Sequence, residues 1–145
     1  MLRKPWVDDL LSGPDARYQT SQEPWADYQR RVVGDPEVTL RGGGERVNAD
    51  GIGVDPDAIV ALDAKHIGNP AASPYDGTAP QFMMDRLLEG FDSELSRYGA
   101  VVLDEANPVQ RLRIVTSDPS AVPFLQARAQ QVLGDQIDVV VEYRP

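Results

Sequence analysis

The chain reads as one α/β domain in which strands are separated by helices. Three observations carry that expectation. A short apolar run, Ala58-Ile59-Val60-Ala61-Leu62, has the length of a strand buried on both faces. A long periodic stretch follows from Pro80 to Val102, where Phe82, Leu87, Leu88, Phe91, Leu95 and Tyr98 or Val102 trace one helical face. A strand over Arg111–Thr116, a helix over Ala121–Leu133 closed by Gly134, and a last strand over Ile137–Tyr143 complete the C-terminal half. Strands alternating with helices imply parallel neighbours in a layered domain. The expected architecture is a central mixed four- to five-stranded sheet flanked by helices on both faces.

The earlier elements have their own signals. Residues 1–24 are punctuated by Pro5, Ser12-Gly13-Pro14 and Glu23-Pro24. They read as an N-terminal arm or linker, with the domain proper over residues 25–145. The same arm could instead pack on the core through Trp6, Leu10 and Leu11. Trp25 to Val33 reads as a helix, because Trp25, Tyr28 and Val32 fall at i, i+3 and i+7, and Gly34 and Pro36 end it. Glu37–Arg41 and Glu45–Asp50 read as strands joined through Gly42-Gly43-Gly44. No helix with Lys-Ser/Thr follows those glycines, so a plain turn fits better than a phosphate cradle. Gly68 to Pro80 reads as a loop.

Composition narrows the chemistry. The chain has 145 residues, the size of one domain. It has no cysteine, which excludes disulfides, thiol catalysis and thiolate zinc sites. A single histidine, His66, excludes a multi-histidine metal site. Any divalent metal must therefore rest on oxygen ligands, which favours Mg²⁺, Mn²⁺ or Ca²⁺. No apolar run is long enough to span a membrane. The N-terminus lacks the apolar stretch of a signal peptide. The net charge of −9 weighs against a nucleic-acid ligand, whose affinity rests largely on phosphate contacts.

One constellation carries chemistry. Residues i and i+2 of a strand share a face, so Asp63 and Lys65 present a carboxylate and an ammonium side by side. Asp50 ends the preceding strand, and an antiparallel hairpin would bring it to Asp63. Two carboxylates, a lysine and the carbonyl of Ala64 suit a hard cation and metal-assisted phosphodiester hydrolysis. The lysine can orient or deprotonate water and offset charge in the transition state. The chain contains twelve Arg and two Lys, so the choice of Lys at the end of its most apolar strand stands out. Alone, Asp-x-Lys fits a surface ion pair at a strand end better than a catalytic site.

The pattern does not stand alone. Tyr28-Gln29, Val32-x-Gly34, Asp50-Gly51 and Leu62-Asp63-Ala64-Lys65 occur in order, with Glu94-x-x-Arg97-Tyr98 on the long helix. This set, over about Trp25 to Tyr143, resembles the restriction-endonuclease-fold toxin domains of bacterial polymorphic toxins, within the PD-(D/E)xK nuclease superfamily. The resemblance implies a restriction-endonuclease-like fold and a Mg²⁺-dependent (or Mn²⁺-dependent) endonuclease. It implies Asp50 and Asp63 as metal ligands and Lys65 as the catalytic lysine. Gln29 would sit near the site, where many superfamily members place a Glu; Glu23 and Asp27 are alternatives for that charge. Glu94 and Arg97 would support the site or bind substrate, or else lie on a solvated helix face or form an intrahelical pair. The implied setting is a larger secreted or injected toxin acting in the target-cell cytoplasm, with DNA more than RNA as substrate and a cognate immunity protein as partner.

Other residues have blander readings. His66 points to the opposite strand face and fits a structural role. Asp55 and Asp57 flank Pro56 as ordinary turn chemistry, or add a metal ligand. Tyr75-Asp76-Gly77 could touch substrate or form a plain turn. Trp6 and Trp25 fit packing better than base stacking. Arg30, Arg31, Arg41 and Arg46 make the best local phosphate-binding patch. Two competing functions stay open: a non-catalytic acidic binding module of immunity or adaptor type, and a metal-dependent hydrolase with another substrate.

Overall fold

The computed structural model describes residues 3–67 and 80–145. The expected loop over Gly68–Pro80, with Tyr75-Asp76-Gly77, lies outside the described residues except for Pro80. The elements run in the order α1 (Arg3–Leu11), β1 (Ala16–Arg17), α2 (Pro24–Val33), β2 (Glu37–Gly42), β3 (Glu45–Ala49), β4 (Gly51–Val54) and β5 (Ile59–Lys65). Then come α3 (Gln81–Leu103), β6 (Val109–Thr116), α4 (Ala121–Leu133), a 3₁₀ turn (Gly134–Gln136) and β7 (Asp138–Tyr143).

The mixed sheet has four strands in the order β4-β5-β6-β7, within the expected range. β4 runs antiparallel to β5, while β5–β6 and β6–β7 are parallel. The parallel pairs follow from the crossovers through α3 and α4, as helices between strands require. Beside it stands a three-stranded antiparallel sheet, β1-β2-β3, which the expected single sheet did not include. The break comes at Asp50, where β3 ends and β4 begins. One apolar-polar run thus serves two sheets, and pattern alone does not mark such a corner.

The sheet is covered on both faces. Ile59 and Ala61 of β5 join the main core with Phe91, Leu95, Tyr98 and Val101 of α3. The alternate residues face α2, whose Tyr28 ring lies 5.3 Å from the His66 ring. Leu112 and Ile114 of β6 and Leu125 and Ala129 of α4 complete the core, each fully or nearly fully buried. The strand over Ala58–Leu62 is buried as expected and continues through Asp63 to Lys65.

Two helical faces differ from expectation. Phe82 is 73% exposed, whereas the buried stripe of α3 is Met84, Phe91, Leu95, Tyr98 and Val101. At 3.6 residues per turn, nine residues put Phe82 half a turn away from Phe91. Trp25 is 44% exposed, and α2 buries Ala26, Tyr28 and Gln29 instead.

The N-terminal residues are tied to the domain. Val7 is buried in the core, and Trp6, Leu10 and Leu11 pack against it. β1 pairs with β2, and the Arg3 guanidinium donates to the carbonyls of Pro56 and Asp57 at 2.8 and 3.0 Å. At the start of β6, Arg111 holds Asp55, Asp57 and Asp138, and Arg113 holds Asp55 and Glu142. The aspartates of the Asp55-Pro56-Asp57 turn are therefore engaged by β6. The Arg113 hydrogen bond holds the Asp55 carboxyl below the usual range.

Glycines permit two close approaches. The β2–β3 turn places Gly43 at φ 58° and Gly44 at φ 77°, the left-handed region that favours glycine. A Cβ on Gly51 would lie 2.7 Å from the Val33 carbonyl oxygen, so only glycine lets β4 pass beneath the end of α2. Gly51→Ala should therefore destabilise the fold by roughly 1–3 kcal/mol. Urea or guanidinium unfolding checks this, and an unchanged midpoint would refute the tight approach.

Candidate active site

The corner at Asp50 and the end of β5 create the site. Gly51 pairs with Leu62, and the Asp50 N–H donates to the Leu62 carbonyl at 2.9 Å. This ladder sets Asp50 beside Asp63, as a hairpin of the two segments requires. The Asp50 Oδ2 accepts from the Ala64 N–H at 2.8 Å. Ala64 thus enters the site through its amide hydrogen, which fixes the Asp50 carboxyl.

Asp63 is 3% exposed, and its Oδ2 lies 3.2 Å from the Lys65 Nζ. That distance allows charge pairing, but Oδ2 is buried and makes no hydrogen bond. Lys65 Nζ donates to the Glu94 Oε1 at 2.9 Å. It also stands 5.3 Å from the centroid of the Phe91 ring. The expected strand alternation places Asp63 and Lys65 together. Glu94 joins from α3, the element that follows β5, and pairs with Lys65 in place of an intrahelical partner.

Burial governs the electrostatics. It pushes the Asp63 carboxyl up to about 6; Lys65 opposes this and Asp50 adds to it. Burial also raises Asp50, against the Ala64 N–H and the hydrogen-bonding interaction with Asp63. It raises Glu94, with Asp63 contributing further. Tyr98 lies fully buried next to these carboxyls and is driven well above its usual value, first by burial.

The other expected residues fall into two groups. Gln29 is 4% exposed, and its Nε2 is buried without a hydrogen-bond partner. No hydrogen bond ties it to Asp50, Asp63 or Lys65. Asp27, an alternative for the missing charge, pairs with Arg30 at 2.7 Å; Glu23 is the N-cap of α2. Arg30 also donates to the carbonyls of Gln19 and Ser21, anchoring residues before α2. Arg31 binds the Pro145 carbonyl and sits 5.4 Å from the Tyr28 ring centroid. Burial raises that tyrosine to about 12, and its hydroxyl donates to the Arg144 carbonyl at 2.8 Å. Arg46 and Arg97 instead line a common pocket with Arg17 and Arg41. Arg17 had no signal near it in the sequence, because β1 has only two residues.

The donor chemistry bears on a metal. The groups present are oxygens only, and Asp63 holds a buried carboxylate oxygen without a hydrogen bond. These features fit a hard cation. Among the described residues, no three His, Cys, Asp or Glu side chains converge at metal-holding spacing. That is compatible with a cation that takes one or two carboxylates and keeps several waters, as Mg²⁺ does.

A family model described as restriction endonuclease fold toxin 2 matches residues 24–132. The chain belongs to that family. No curated protein and no solved structure matches it. Membership in restriction endonuclease fold toxin 2 accords with the α/β fold. It places the chain among toxins with a nuclease fold. No helix among the described residues is long and apolar enough to cross a membrane.

The raised Asp63 carboxyl has a consequence for stability. In the unfolded chain it titrates near 3.8, and in the folded chain near 6. Its contribution is fully present below the lower value and is lost as pH rises through the upper one, by roughly 3 kcal/mol. In metal-free buffer, Asp63→Asn should gain stability relative to the parent between about pH 4 and pH 7. Thermal unfolding across that range reads the gap directly; a gap that does not widen would contradict it.

Proposed function

We propose that this toxin-family domain is a divalent-metal-dependent endonuclease that hydrolyses phosphodiester bonds of nucleic acid, DNA in preference to RNA. The observation that carries the reading is the Asp50–Asp63–Lys65–Glu94 cluster. A catalytic-type lysine sits between a buried carboxyl and a carboxyl from a separate helix.

Asp50, Asp63 and the Ala64 carbonyl would hold the cation. When bound, Mg²⁺ or Mn²⁺ stabilises charge developing on the phosphate and makes a bound water more acidic. The chain's own residues do the rest. The Ala64 N–H keeps the Asp50 carboxyl in one orientation. Glu94 and Asp63 hold the Lys65 ammonium, and its three donors can orient water and stabilise a phosphate oxyanion. Phe91 and Tyr98 wall the site on the α3 side, which strengthens each charge interaction there. Gln29 can contribute only hydrogen bonds. A bound cation also relieves the mutual disfavour of the buried carboxyls and so offsets part of the acidic charge.

The biological setting follows from family and chemistry together. The domain acts as an antibacterial toxin in the cytoplasm of a target cell, after secretion or injection as part of a larger protein. A nuclease of this kind endangers its own producer, so a cognate immunity protein is the expected partner. The net charge of −9 favours one other reading, a non-catalytic binding module of immunity or adaptor type. That reading predicts no metal dependence and no effect of changing Lys65.

The test is cleavage of plasmid DNA and of RNA by the purified domain, with Mg²⁺ or with EDTA. Activity should require the metal. Lys65→Ala and Asp63→Ala should each lower it by roughly 10²-fold or more. Folded variants that still cleave like the parent would refute the assignment.

A further inference from the structure

Four arginines from four separate elements converge on one concavity of about 450 Å³. They are Arg17 of β1, Arg41 of β2, Arg46 of β3 and Arg97 of α3. The volume falls among pockets that hold small ligands, roughly 300–1,000 Å³. The face is set by strand alternation. Val38, Leu40, Val47 and Ala49 turn into the core, so Thr39, Arg41, Arg46 and Asn48 turn outward.

Register makes this arrangement unfavourable by itself. Arg41 pairs directly opposite Arg46, and Thr39 directly opposite Asn48. Like charges directly opposite on a ladder destabilise it. Asp15 is the single carboxylate lining the pocket, and it meets Arg41 at 3.2 Å. Arg17 donates to the Thr39 Oγ1 at 2.8 Å, and Thr39 in turn donates to the Asn48 Oδ1 at 2.9 Å. Among the described residues, Arg97 donates only to the carbonyl of Ser93 in its own helix. Arg46 has no hydrogen-bond or ion-pair partner among the described residues. Four guanidiniums against one carboxylate thus reverse the local sign of a chain whose net charge is −9.

The pocket adjoins the candidate active site along two elements. Asn48 stands two residues before Asp50, and Arg97 one helical turn after Glu94. Guanidinium forks match the oxygens of a phosphate diester, and such an anion would relieve the Arg41–Arg46 repulsion.

We infer that this pocket seats a backbone phosphate of the nucleic-acid strand beside the scissile bond, with Arg46 and Arg97 as its principal contacts. The placement beside a scissile bond rests on the nuclease reading, but phosphate binding itself is separately measurable. It also explains how an acidic domain holds a polyanion. Contact is confined to one basic concavity, and the remaining surface repels the strand.

The experiment titrates labelled DNA and RNA oligonucleotides with the Lys65→Ala chain in Mg²⁺, over a series of salt concentrations. Arg46→Gln or Arg97→Gln added to that background should weaken binding by about tenfold. Each should make the dependence of log K on log salt shallower by about one. Arg86→Gln, which removes an exposed charge of α3 outside the pocket, should do neither. Arg46 holds no partner among the described residues and faces Arg41 across the ladder, so its variant should melt no lower than the parent. In the active chain the same two changes should raise KM more than they lower kcat. If the parent cleaves nucleic acid and neither variant differs from the Arg86→Gln control, the pocket assignment falls and the nuclease reading survives. If the parent cleaves nothing yet Arg46→Gln loses oligonucleotide binding, the nuclease reading falls and the phosphate pocket stands.

Discussion

Asp63 places a carboxyl inside the protein, at 3% exposure, on the strand that the whole sheet is built around. A buried charge without a partner is among the more unfavourable things a fold can contain. The structure meets it with Lys65 from the same strand face and with Glu94 from α3, which holds the lysine in turn. α3 must therefore lie along the end of β5, and Phe91 and Tyr98 come with it. The compensation is incomplete: burial still raises Asp63, Asp50 and Glu94 together. Three carboxyls raised by burial thus share one ammonium. That imbalance is what distinguishes it from an ordinary surface ion pair.

The scaffold around this centre is arranged to hold two segments at one corner. Asp50 sits where the antiparallel β3 ends and the mixed sheet begins, and its carboxyl is held by the amide of Ala64. Gly51 lets that corner slide under the last turn of α2. At the opposite end of the strands, Arg111 and Arg113 gather Asp55, Asp57, Asp138 and Glu142. These charges are partly or largely exposed, so each pair contributes little singly. As a network they tie the β4–β5 turn to β6 and β7 and keep those aspartates away from the site.

Charge is distributed unevenly rather than simply in excess. The arginines nearest in sequence, Arg30 and Arg31, hold backbone carbonyls of the N-terminal segment and the C-terminus. Those that share a pocket, Arg17, Arg41, Arg46 and Arg97, are spread along 81 positions of the chain, from Arg17 to Arg97 counted inclusively. Net charge therefore says little about what this surface binds, because a strand contacts the local potential and not the total.

Much of the fold was legible in the residues alone. The apolar run ending at Lys65, the glycine turn, the helix closed by Gly134 and the α/β order all rest on local periodicity and local turn chemistry, which a chain carries wherever it goes. The pairing of Asp63 with Lys65 was legible for the same reason, since strand alternation is local. Glu94 could be suspected only by resemblance, and Arg17 not at all. What the tertiary structure decided was everything that depends on where separate elements meet. It divided one apparent sheet into two at Asp50, turned Phe82 and Trp25 outward, and packed Val7 into the core. It left Gln29 buried with an unpaired amide nitrogen and sorted the arginines into anchors and a pocket. The constellation at Asp50, Asp63 and Lys65 was written in the sequence as spacing; its burial, which gives it chemical character, comes only from the helix laid across it.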